Sequence, residues 1–168
     1  MKRYKVLFCD LDGTLIDTIT GKTFAQGMWD MKLKLDVLDK IKELAPEHLY
    51  IVTNQGGIGK FFTEEDFVKK LEYIEVSIRS YIKHPKLKKV DSMYCDSMDA
   101  DDPFRKPNPG MVNYFIDKIK TEYTKDDMLM IGDASGYESS FSDSDIKCAV
   151  AAGITYLDVG DFTKVSLF

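Results

Sequence analysis

Two hydrophobic rhythms alternate along the chain. "YKVLFC" at 4–9, "HLYIVT" at 48–53, "VDSMYC" at 90–95, "MLMIGD" at 128–133 and "ITYLDV" at 154–159 are short apolar runs. Runs of this length fit strands covered on both faces. Between them, apolar residues recur at helical spacing. Leu35, Leu38, Ile41 and Leu44 mark a helix over 33–45, closed by Pro46. "TEED" at 63–66 is a capping-box pattern, opening a long helix with Phe67, Leu71, Ile74, Ile78 and Ile82 on one face. Asn108 and Pro109 read as N-cap and N1 of a helix running to about Tyr123, and residues 145–152 as a short helix. This alternation predicts an α/β fold, a parallel sheet with helices on both faces. No repeat, low-complexity tract or linker interrupts it, so residues 1–168 read as one domain.

Composition narrows the class. The 168 residues are 44% hydrophobic and 30% charged, enough for a soluble domain with a real core. No apolar run approaches a membrane span, and "MKRYKVLFCD" reaches its first Asp too early for a signal peptide, so a cytoplasmic location is expected. Cys9, Cys95 and Cys148 lie far apart and His48 and His84 are the only histidines, which argues against a zinc site or disulfide framework. The net charge of −5 argues against a generally basic nucleic-acid surface. "KHPKLKK" at 83–89, the one basic strip, reads as a solvated helix end and loop.

In parallel sheets, ligands bind beyond the carboxyl ends of the strands. Polar residues gather there: Asp10 and Asp12, Thr53 and Asn54, the loop before Lys106, and Asp133. That set suits phosphoryl transfer. A carboxylate, Asp10, attacks phosphorus and splits one difficult step into two. A hard divalent cation offsets the repulsion between anions, and Mg²⁺ prefers carboxylates, phosphate oxygens and water. Asp10, Asp133 and the backbone carbonyl of Asp12 are its candidate ligands. The Asp12 side chain protonates the leaving oxygen and later accepts a proton from water. Thr53 binds phosphate oxygens with its hydroxyl, aided by a backbone N–H of the following turn, and Lys106 offsets negative charge.

The ordered pieces "FCDLDGTL", "IVTNQGG", "RKPNPGM" and "IGDASG" resemble the haloacid dehalogenase superfamily. The resemblance implies a Rossmann-like sheet with strand 1 central. It also implies Mg²⁺-dependent phosphatase chemistry, with Asp10 as nucleophile and Asp12 as general acid/base. Within the matching motifs, Gly13, Thr14, Asn54, Gln55 and Arg105 are candidate substrate-binding residues. Many relatives carry an inserted cap domain. Here the stretches from Asp10 to Thr53 and from Thr53 to Lys106 leave room for a small flap but no sizeable cap.

"TGKTFAQGMWD" at 20–30, "TNQGGIGKFFTEEDF" at 53–67 and "FSDSDIKCAVAAGITYLDVGDF" at 141–162 look like the 3'-phosphatase domain of polynucleotide kinase/phosphatases. "RKPNPGM" is shared with heptose and histidinol bisphosphate-type phosphatases. "NQGGIGKF" is not a Walker A loop, because Asn54 stands at its first Gly and Phe61 at its Ser/Thr. Two departures stand out. Tyr137 replaces an Arg frequent in the family, and "CDSMDADDPF" at 95–104 is acidic where a DNA backbone would be repelled. Asp145 matches the acid of the family's "FS..D" pattern; it either supports the metal site from behind the ligands or caps a helix. Trp29 and the flap around Gly21–Phe24 either contact substrate or, for Trp29, pack beside helix 33–45. The expected partner is a phosphorylated substrate, a nucleic-acid 3' end or a small phosphosugar, with no membrane; oligomeric state is left open. A silent phosphate-binding regulatory module is the reading from another class.

Overall fold

The computed structural model describes residues 3–166. A five-stranded parallel sheet forms its centre, in the order β5-β4-β1-β6-β7. Its strands are β1 (Val6–Cys9), β4 (His48–Asn54), β5 (Lys89–Cys95), β6 (Met128–Gly132) and β7 (Thr155–Asp158). Strand β1 is central, with Val6 level with His48 on one side and Met128 on the other.

The unbroken apolar run of β1 has a physical reason. Successive side chains point to opposite faces, and both faces are covered. Leu7 and Cys9 join Leu49, Ile51, Leu129 and Ile131 in a core closed by α1 (Leu35–Leu44), α2 (Glu64–Ile82) and α5 (Val159–Phe162). Val6 and Phe8 join Tyr50, Val52 and Met130 beneath α3 (Gly110–Ile119) and α4 (Ser144–Ala152). A fully buried side chain of this kind stabilises by about 1.5–3 kcal/mol. All three cysteines are buried and free. Among the described residues, no helix is long and apolar enough to cross a membrane.

Helix α2 starts where the capping pattern put it. Thr63 Oγ1 accepts from the Asp66 N–H at 3.1 Å, and three acids occupy the first turn. Helix α3 is shorter than expected. Pro109, not Asn108, is its N-cap, and it ends at Ile119 rather than near Tyr123. The Asn108 amide is drawn into the preceding loop, donating to the carbonyls of Ala100 and Asp102. Tyr123 is drawn beyond the helix end, where its hydroxyl donates to Glu47 and accepts from Lys88. Helix α1 begins at Leu35 because Lys32–Leu33 (β3) pair antiparallel with Ile16–Asp17 (β2). Leu35 is therefore 52% exposed, not a core residue.

The β2–β3 pair is the root of a small flap. Asp30 organises its tip by accepting from the backbone N–H groups of Thr20 and Gln26 and from the Thr20 hydroxyl. The Gln26 and Thr20 N–H groups hold its carboxyl down at about 2. Trp29 meets Tyr73 of α2 edge-on at 5.5 Å.

Candidate active site

Four strand ends converge at the carboxyl edge of the sheet. Asp10 leaves β1 with its N–H donated to the Ile131 carbonyl of β6. The chain then folds back tightly: the N–H groups of Thr14, Leu15 and Ile16 all donate to the Leu11 carbonyl. Gly13 sits in this turn with φ +77, and a Cβ there would lie 2.1 Å from Asp133 Oδ2. Only glycine satisfies both the left-handed backbone and the close approach of Asp133. Thr14 is buried, and its hydroxyl has no hydrogen-bond partner among the described residues.

The centre of the site is a charge knot. Lys106 is 4% exposed and donates to Asp10 Oδ1 at 2.6 Å and to Asp145 Oδ1 at 2.7 Å. Asp145 also accepts from the Ala134 N–H through Oδ2, which ties the loop after β6 to α4. A Cβ on Gly132 would fall 2.3 Å from this same Oδ2, so the glycine at the end of β6 makes room for the Asp145 carboxylate. Asp145 is the second residue of α4 and its side chain makes no cap; Asp143 is the N-cap residue.

Asp10, Asp133 and Asp145 each present a carboxylate oxygen within 4.8 Å of the others. Three carboxylates face one ammonium. Burial pushes the Asp10 carboxyl up to about 8, against the pull of Lys106 and with Asp145 adding to the rise. Burial, then Asp145, raises Asp133 to about 6. Burial alone would lower the Lys106 ammonium, but Asp10 and Asp145 hold it above its ordinary value. Three carboxylates against one ammonium leave excess negative charge on oxygen donors, which fits a hard divalent cation such as Mg²⁺. The Asp12 side chain is not among these three. It is exposed and turned aside, accepting from Gln55 Nε2 at 2.8 Å.

The other expected site residues are distributed around this knot. Thr53 is buried, and its hydroxyl accepts from the same Gln55 Nε2 at 2.9 Å. Gln55 thus bridges the two groups assigned to proton transfer and phosphate binding. Asn54 uses both ends of its amide on Lys106, donating to its carbonyl and accepting from its N–H, each at 2.9 Å. Arg105 donates to the Ser97 carbonyl at 2.7 Å and so braces the acidic loop. Within that loop, Asp99 and Asp102 accept from the N–H groups of Asp101 and Phe104, so two of its acids shape their own turns.

Sequence reasoning missed the brace behind Asp133. Ser135 Oγ hydrogen-bonds Tyr156 and Asp158, and the Tyr156 hydroxyl donates to the Gly132 carbonyl. Polar side chains near the end of a half-buried strand, β7, were the available signal. Gly13→Ala is expected to displace Asp133 and weaken divalent-cation affinity by tenfold or more; calorimetric titration with Mg²⁺ checks this, and unchanged affinity would remove Gly13 from the account.

Residues 5–162 match the family model described as polynucleotide kinase 3 phosphatase. The bifunctional polynucleotide phosphatase/kinase of Schizosaccharomyces pombe is 30% identical over 159 residues, covering 92% of this chain but only 36% of that protein. An uncharacterised 20.8 kDa protein of Autographa californica nuclear polyhedrosis virus is 29% identical over 179 residues, covering 99% of this chain and 89% of its own. The histidine biosynthesis bifunctional protein HisB of Buchnera aphidicola is 30% identical over 134 residues, 77% of this chain and 36% of that one. In fold, the chain is similar to the D,D-heptose 1,7-bisphosphate phosphatase of B. bronchiseptica crystallised with magnesium and phosphate. That match has a TM-score of 0.67 at 18% identity and covers 90% of this chain and 78% of the other.

Proposed function

The chain belongs to the polynucleotide kinase 3 phosphatase family, and on that premise we propose a Mg²⁺-dependent phosphomonoesterase that removes a terminal 3'-phosphate from a nucleic acid. One observation carries the chemistry: Lys106 locks Asp10 into a buried three-carboxylate pocket at the mouth of β1. Asp10 attacks phosphorus, and the phosphoryl group passes to its carboxylate as the ester bond breaks. Asp12 gives its proton to the departing 3'-oxygen, then takes one from the water that hydrolyses the aspartyl-phosphate. Gln55 ties Asp12 to Thr53, and Thr53 and the turn after β4 bind phosphate oxygens. Lys106 neutralises Asp10 and positions it. Asp10, Asp133 and, behind them, Asp145 would hold Mg²⁺, which screens anion–anion repulsion at the phosphoryl group.

The family match and the phosphatase/kinase relative support a nucleic-acid substrate. Resemblance to HisB and the acidic loop before Arg105 support a second reading, a small sugar bisphosphate or histidinol phosphate. Steady-state rates on a 3'-phosphorylated oligonucleotide and on a panel of those metabolites decide between them. A kcat/KM higher on any metabolite than on the oligonucleotide would overturn the nucleic-acid assignment.

A cation prediction accompanies this reading. Mg²⁺ at 100 times its Kd is expected to stabilise the fold by about 2.7 kcal/mol. For a chain of this size that raises the melting temperature by roughly 5–10 °C. EDTA should abolish turnover without unfolding the protein. Melting curves insensitive to Mg²⁺ would remove the metal from the proposal.

A further inference from the structure

Lysine is an unexpected residue at position 34. Lys34 is the N-cap of α1, a place that favours Ser, Thr, Asp or Asn, whose side chains accept from the free N–H groups of the first turn. An ammonium offers no acceptor and adds positive charge to the positive end of the helix. The Lys34 side chain makes no cap bond. It reaches instead to the turn after β1, where it donates to the Gly13 carbonyl at 3.1 Å. Only 22% of this side chain is exposed, while Asp17, its ion-pair partner at 3.8 Å, is 45% exposed. A long, open pair of that kind contributes little. A residue that breaks the local rule without a local gain is held for another purpose.

What Lys34 holds is the least constrained point of that turn. Gly13 has no side chain, so the peptide units on either side of it rotate at small cost. The Gly13 N–H donates to the Ile16 carbonyl at 2.8 Å, which fixes the unit before it. In the unit after it, the Gly13 carbonyl receives the Lys34 ammonium, and the Thr14 N–H donates to the Leu11 carbonyl at a long 3.2 Å. Rotation of this second unit would exchange its two polar ends, and the ammonium opposes that exchange. Lys34 is itself anchored. Its N–H donates to the Leu15 carbonyl at 2.9 Å, its carbonyl accepts from the Leu38 N–H at 3.1 Å, and Leu33 pairs with Ile16. The site senses this charge: burial, then Asp145, raises the Asp133 carboxyl, and Lys34 is among the groups that pull it back. Resting on the phosphatase reading, we infer that Lys34 is a positioning residue: it clamps the Gly13–Thr14 peptide and so fixes the turn that carries Asp12 and abuts Asp133. Its action runs through the Gly13 backbone and ties the root of the flap to the reaction centre.

Amide hydrogen exchange reads the clamp directly. In Lys34→Met the amides over 12–16 should exchange about tenfold faster or more, because a charge-assisted hydrogen bond is lost. Those of β6 should keep the wild-type rate, which shows that the fold is intact. On an aryl phosphate the same variant should lose about 10- to 100-fold in kcat. Its KM should stay within about twofold of wild type, since the phosphate contacts of Thr53 and the turn after β4 are untouched. Lys34→Arg keeps the charge and the donors, and should restore slow exchange and most of kcat. Asp17→Asn removes the ion pair but leaves the bond to Gly13, and should match wild type in both readings. Wild-type exchange over 12–16 in Lys34→Met overturns the clamp, as does a kcat loss in Asp17→Asn as large as in Lys34→Met. A defect carried by KM alone overturns the positioning role. Exchange decides the clamp without turnover, so a wild-type protein inactive on every phosphate ester overturns the phosphatase reading and leaves the clamp standing.

Discussion

Asp10→Asn is expected to lower turnover by about 10⁴-fold or more while raising the melting temperature of the cation-free protein. The kinetic half follows from removing the proposed nucleophile; the amide carbonyl still accepts from Lys106, so the pocket keeps its shape. The stability half follows from linkage. The Asp10 carboxyl lies near 8 in the folded protein, against an ordinary value of 3.8. The folded state therefore binds this proton more tightly than the unfolded one, and the associated stability is lost as pH rises from about 4 to about 8. Above that window the ionised, buried Asp10 destabilises the fold, and asparagine removes the penalty. Turnover of an aryl phosphate, with melting curves in EDTA at pH 5 and pH 8, checks both halves. The variant should gain more over wild type at pH 8. Wild-type turnover would sink the nucleophile assignment, and a loss of stability at pH 8 would sink the electrostatic account.

Lys106→Met is expected to cost about 3–5 kcal/mol of stability, roughly 10 °C in melting temperature, together with at least about 10²-fold in turnover. The ammonium stands between two buried carboxylates. Removing it leaves two buried carboxyls without their shared donor, which must take up a proton or repel each other, in a pocket that already carries Asp133. Methionine keeps much of the stem's packing, so the loss reports on charge. Adding Asp145→Asn to the same chain should recover part of the stability and none of the activity. If the double variant is no more stable than the single one, the knot is not the source of the loss.

The sheet was legible because its strands are buried on both faces, which imposes continuous apolar runs on β1, β4 and β6. The flap strands were not, since two-residue pairing such as Ile16 with Leu33 is set by contacts distant in sequence. Helix α5, four residues long, is too short for a period to declare itself. Among site residues, Asp10, Thr53, Lys106 and Asp133 stand at strand ends or in family motifs, and the fold brings them to one edge. Asp145 was left between two roles, although its position held a signal. Asp145, Cys148, Ala149 and Ala152 share the buried face of α4, and an acid on an apolar stripe requires a buried partner. Lys106, distant in sequence, is that partner. The double grip of Asn54 on the Lys106 backbone had no such signal, because an amide at a strand end is compatible with many partners.

The central position of β1 has a consequence for biosynthesis. The strand that leads into Asp10 is made before the rest of the sheet, yet its neighbours on either side are β4 and β6. At roughly 5–20 residues per second, its second edge stays unpaired for several seconds or longer while the chain up to Gly132 is made. Throughout that interval an apolar segment with open hydrogen-bonding edges is available to chaperones or to neighbouring nascent chains. Chemical competence arrives later still, since Asp145 must emerge before the lysine between the carboxylates is fully held. Asp10 thus gains its full set of partners only after segments far downstream of it have emerged.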